Sequence, residues 1–140
     1  MSIQIVMMVP PEAASVSLAR HTLSETLRIA HVAPDCIEEA ELALTEACTQ
    51  VWQHLAEGKG LEVLINVGAV ELTMHVLESG NGYRRHEHGT FLAEVSAESS
   101  SGMVLMNEFA DRASFSSNGG GGSIRLTKQL RWDETPQPSV

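Results

Sequence analysis

Apolar residues recur along the chain at two periods, and the switches between them mark its elements. Residues 3–9, IQIVMMV, form a short apolar run closed by Pro10-Pro11, which predicts a first strand. Between Glu12 and His31 the period becomes helical. Val16, Ala19, Leu23, Leu27 and Ala30 make the stripe, and Ser17, His21, Ser24 and Arg28 lie on the other side. Arg20 stands at the border of the two faces, where a long cation reaches outward. A second helix is predicted from Pro34 to Leu55, with Ile37, Ala40, Leu44, Ala47, Cys48, Val51 and Leu55 as its buried stripe. Pro34 and Asp35 supply a start signal, and Glu38 three residues after Asp35 matches a reciprocal cap. The opposite face carries Glu46, Gln50 and Gln53, at i, i+4 and i+7. A carboxylate one turn from a carboxamide can hold a water and a metal side by side, and it equally fits a solvated polar face.

The second half reads mostly as sheet. Residues 56–60, AEGKG, predict a loop, with Gly58 or Gly60 as the stop of the second helix. Leu61–Val67 and Val70–Leu77 then alternate strictly, and Gly68-Ala69 between them predicts a tight hairpin. One face of this sheet is apolar, and the helices can cover it. The second run leads straight into Glu78-Ser79-Gly80-Asn81-Gly82, a carboxylate at a strand end followed by glycines that let backbone approach a ligand. Residues 83–101 show no sustained period and predict a long loop. Its His86 and His88 lack the further ligands of a zinc site. Gly102 opens a short helix to about Arg112, with Met103, Met106, Phe109 and Ala110 along its buried edge. A closing hairpin follows: a strand near 113–117, a glycine turn at 118–122, and a strand over 123–130 whose apolar side Lys128 interrupts. There is no internal repeat and no dividing linker, so residues 1–132 are expected to form one domain, with 133–140 a loose tail.

Composition narrows the function. At 140 residues, 43% of them hydrophobic, the chain can bury a sizeable core. The net charge is −9 and the only basic cluster is Arg84-Arg85, which argues against nucleic acid as a direct partner. A basic protein surface suits it better. No apolar run approaches the roughly 20 residues of a membrane span. The N-terminus, MSIQIVMMVPPE, lacks the features of a signal peptide. Cys36 and Cys48 are about 18 Å apart along one predicted helix, too far to bridge there. Two free thiols and no leader predict a cytoplasmic protein.

Four stretches in this order resemble the GHKL (Bergerat-fold) ATP-binding domains, and among them the small, free-standing anti-sigma-factor serine kinases of bacteria. LARHTLSETLRIAHVAPD is similar to the family's first helix. ELALTEACTQVWQH is similar to its E-x-x-x-N box with the trailing His, here Glu46, Gln50 and His54. ESGNG stands where the family has D-x-G-x-G, and GGGGSIRLTKQLRW resembles its closing strand. The resemblance spans about residues 15–132. It implies an α+β fold: a two-layer α/β sandwich whose mixed, mainly antiparallel sheet is covered on one face by helices.

The same resemblance implies ATP and Mg²⁺ as cofactors, and a sigma factor and an anti-sigma-factor antagonist as protein partners. Glu46 would be the general base for a substrate serine, and Gln50 would stand at the Mg²⁺-holding position. Glu78 would accept the adenine amino group, Gly80 and Gly82 would approach the nucleotide, and Ser123 would lie near the adenine. Gly102 would open the helix facing the phosphates, with residues 83–101 as the lid. Arg20 matches a partner-contacting position, and a homodimer through the first strand and helix is implied as well. Three departures fall in one pocket. Gln50 replaces Asn and Glu78 replaces Asp, each longer by roughly 1.5 Å. SSSGMVLM holds one glycine where the family has two or three. Mg²⁺ demands near-ideal octahedral geometry, so the expectation is a degenerate nucleotide site in an anti-sigma regulator. The alternatives are an active serine kinase and an α/β protein with an unrelated ligand.

Overall fold

The computed structural model describes residues 2–79, 91–92, 109–117 and 122–133. The chain runs β1 (Ile3–Val9), α1 (Ala13–Ile29), α2 (Pro34–Gln53), β2 (Leu61–Val67), β3 (Glu71–Glu78), β4 (Phe91–Leu92), β5 (Arg112–Ser117) and β6 (Gly122–Gln129). The strands form one sheet in the order β1-β2-β3-β6-β5-β4. Each neighbouring pair is antiparallel, so the expected mixed sheet carries no parallel pair among the described residues.

Register explains why one face is covered. Ile65, Met74 and Leu126 stand side by side across β2, β3 and β6, as do Val63, Val76 and Ile124. All six are at most 4% exposed. α2 packs on this face against β2, β3 and β6, and α1 packs on α2. Ala40, Ala43, Leu44, Ala47, Cys48 and Val51 supply the α2 side, each at most 3% exposed. Burying a Leu or Ile side chain is worth about 1.5–3 kcal/mol, so this one seam accounts for much of the driving force.

Several expectations are corrected. α1 is shorter than 12–31, and Ser24, assigned to its outer face, is 7% exposed, with its Oγ accepting Arg28 Nη2 at 3.3 Å. The Asp35–Glu38 cap does not form. Ala33 is the N-cap without a side-chain bond, Pro34 opens the helix, and Asp35 Oδ1 accepts the Cys36 amide at 2.9 Å. Pro34 at this position loses nothing, since its missing N–H would have no helical partner. α2 stops at Gln53, leaving Leu55 beyond it. β3 begins at Glu71, and Val70 is 62% exposed in the turn. The short helix expected from Gly102 falls mostly outside the described residues, and its expected end, Arg112, is already in β5.

Lys128 does point to the covered face. It is 3% exposed, and its Nζ donates to Glu39 Oε1 at 2.7 Å and to the Phe109 carbonyl at 2.9 Å. A buried ammonium is tolerable only when paired in this way. Arg131 adds a second cation, with Nη2 2.9 Å from Glu39 and 3.4 Å from Asp35. After β6 the chain is sewn to the turn between the helices. Ala33 N–H donates to the Arg131 carbonyl and Asp133 N–H to the His31 carbonyl, both at 2.8 Å. Val32 and Trp132 form a bridge there. The tail expected to be loose from 133 is therefore tied at Asp133, and the rest lies outside the described residues.

Candidate functional site

Half a turn of α2 beyond its buried stripe lie Glu46 and Gln50, both half-buried on the flank of the helix. The neighbouring Thr45 and Thr49 hydroxyls fold back onto the helix, donating to the carbonyls of Glu41 (2.8 Å) and Thr45 (2.9 Å). The trailing His54 follows the helix end and is exposed.

Glu78 ends β3 on the same pleat as Leu72, Met74 and Val76, opposite Leu61. The residue is 3% exposed, and its Oε1 accepts the Ala56 amide at 3.1 Å. The next residue completes a clasp: Ser79 N–H donates to the Gly60 carbonyl at 2.9 Å, and Gly60 N–H donates to Ser79 Oγ at 3.0 Å. Gly60 must be glycine, because a Cβ there would stand 2.6 Å from the Val9 carbonyl oxygen. The strand end that was expected to face a ligand is thus engaged with the loop from α2 to β2.

Ser123 is not brought to Glu78. It pairs with Leu77 and with Ser116, while its neighbour Ile124 pairs with Val76, so the pleat sets Ser123 on the sheet face away from the helices. It is 8% exposed, and its Oγ has no hydrogen-bond partner among the described residues. Gly80, Gly82 and Gly102 lie outside the described residues. Arg20 is exposed on α1. Among the described residues no cluster of three or more His, Cys, Asp or Glu side chains could hold a metal ion. No helix there is long and apolar enough to cross a membrane.

Sequence reasoning missed the Lys128–Glu39–Arg131 knot. The hydrogen bond of Lys128 to Glu39 joins positions 89 apart, and nothing local announces it. The Lys128 hydrogen bond, then that of Arg131, holds the Glu39 carboxyl below the usual glutamate value, and Glu39 in turn raises the Arg131 guanidinium. Burial pushes the Cys48 thiol up to about 12, which makes it a core residue and not a nucleophile.

A helix-covered antiparallel sheet, with an acid and an amide one turn apart on the long helix, defines a GHKL-type ATPase architecture. The model of the histidine kinase-like ATPase domain matches residues 9–128, and the chain belongs to that family. It is similar to the serine-protein kinase RsbW of Bacillus velezensis, 29% identical over an alignment covering 90% of this chain and 85% of the relative. The proteins of the same name from Bacillus thuringiensis and Bacillus anthracis are 30% identical over 79 residues, 56% of this chain and 49% of theirs.

Proposed function

We propose that the chain is an anti-sigma-factor-type regulator that acts by binding a sigma factor, an anti-sigma-factor antagonist, or both, in the cytoplasm, with a weakened nucleotide site. The observation that carries this is Glu78. Its side chain is buried and Oε1 accepts the Ala56 amide, so the carboxylate that the family offers to adenine is anchored here to the loop after α2. The family implies ATP with Mg²⁺, and the fit here is poor. Gln50 offers a longer carboxamide in place of Asn, and Ser123 stands on the other side of the sheet. Partner capture needs none of these groups. Arg20, exposed on α1, supplies a long cation for a protein surface.

The test is calorimetric titration of the chain with purified sigma factors, without nucleotide. A complex should form, and Arg20→Glu should weaken it about tenfold or more while leaving thermal stability unchanged. Absence of a complex with every sigma factor, and in the same titration with every antagonist tried, would sink the proposal. A second reading, an active serine kinase, is favoured by Glu46, half-buried on α2, to which the resemblance gives the role of base. It requires transfer of phosphate from Mg·ATP to a serine of the antagonist, abolished by Glu46→Ala without loss of sigma-factor capture.

A further inference from the structure

A second feature lies at the far end of the helical layer. The turn between α1 and α2 and the segment after β6 enclose a groove of about 590 Å³. Val32 and Ile37 line it, at 3% and 6% exposed, together with Arg28, His31, Glu38, Glu41 and Asp133, three acids against one full cation and one imidazole. Its charge is unbalanced for a structural reason. Asp35 and Glu39 on the same helix are bridged by Arg131 and Lys128, and Arg28 is bridged to Glu25. Glu38 and Glu41 have no ion pair among the described residues, and they stand one helical turn apart facing the same groove. Trp132, paired with Val32, is 41% exposed, and Ile29 near the other end of the turn is 72% exposed.

We infer that this groove docks a basic segment of a partner protein, an Arg or Lys flanked by aliphatic residues. The alkyl stem lies over Val32 and Ile37, and the cationic head reaches Glu38 and Glu41. A metal ion does not fit, because no suitable ligand cluster exists among the described residues. A second copy of this chain, with its net charge of −9, offers the groove less cation than a basic segment does. The groove is made by the helix turn and the segment after β6, apart from Glu46 and Glu78. It does not rest on the anti-sigma reading, and either can fail alone.

The experiment is a nuclear magnetic resonance titration of the full chain, without nucleotide, using a short capped peptide in which arginine alternates with leucine. The expected result is shift changes confined to residues 28–41 and 130–133. Weakening of about fivefold is expected in the Glu38→Gln/Glu41→Gln double variant, whose own spectrum reports whether it is folded. Four outcomes overturn the inference: no shifts at these residues, equal binding by the double variant, equal binding of a glutamate–leucine peptide, or capped arginine alone binding as well as the peptide. Shifts that follow protein concentration without peptide would assign the groove to self-association and overturn it too.

Discussion

Lys128 is the residue at which periodicity and chemistry disagree most. Alternation put a cation on the apolar side of β6, and the fold accepts it by supplying Glu39 and the Phe109 carbonyl. Removing the acid should therefore cost more than removing the base. Glu39→Gln leaves a buried ammonium without its counter-charge and should destabilise by about 2–4 kcal/mol. Lys128→Met replaces the charge by an apolar chain of similar length and should cost under about 1 kcal/mol. Urea denaturation at unchanged slope measures both, and equal losses would show that the pair behaves as a screened surface contact. The pair also sets a pH dependence. The folded pKa of Glu39 is depressed, so its contribution is full above the ordinary value of 4.5 and is lost as pH falls through the folded value. Acid unfolding should be steeper below pH 4.5 in the native chain than in Glu39→Gln.

At the scale of elements, the clasp between the end of β3 and the loop after α2 is the joint that most affects the site. Gly60→Ala would drive a Cβ to 2.6 Å from the Val9 carbonyl oxygen, and backbone would have to move. A loss of about 1–3 kcal/mol is expected. Gly58→Ala is the comparison, since its φ of +81° brings backbone strain but no atom lies within 4 Å. It should cost about 1 kcal/mol. If thermal unfolding ranked the two in the opposite order, crowding against β1 would not be what fixes the loop. The elements were largely legible beforehand. The strand over 3–9 appears where its apolar run placed it, and the strand over 61–67 and the long helix from Pro34 where their periods did, because each buries one face against the same layer. Caps and ends were less legible. Asp35 bonds the adjacent amide instead of capping, and Arg112 enters a strand because Asp111 N–H already pairs with the Thr127 carbonyl at 2.9 Å.

For the whole molecule, the question is whether the sandwich still binds the family's nucleotide. A ligand at a hundred times its Kd stabilises by about 2.7 kcal/mol, a few degrees in Tm for a domain of this size. With millimolar Mg·ATP the native chain should shift by less than about 1 °C. The Gln50→Asn/Glu78→Asp variant should shift by several degrees if side-chain length is the defect. A clear shift of the native chain would overturn the weakened pocket and favour the kinase. By itself the sequence determined α1, α2 and the longer strands, their apolar faces, the family, and Glu46 and Gln50 one turn apart, because these depend on periods and spacings within a single element; β4 lies within residues 83–101, read as loop, and is defined by its pairing with β5. Only the tertiary structure decided that Glu78 serves the Ala56 amide, that Ser123 stands across the sheet from it, and that Lys128 is buried against Glu39. Each of these is a meeting of distant segments, set by strand register and by how the chain after β6 closes on the helix turn, and no local pattern encodes it.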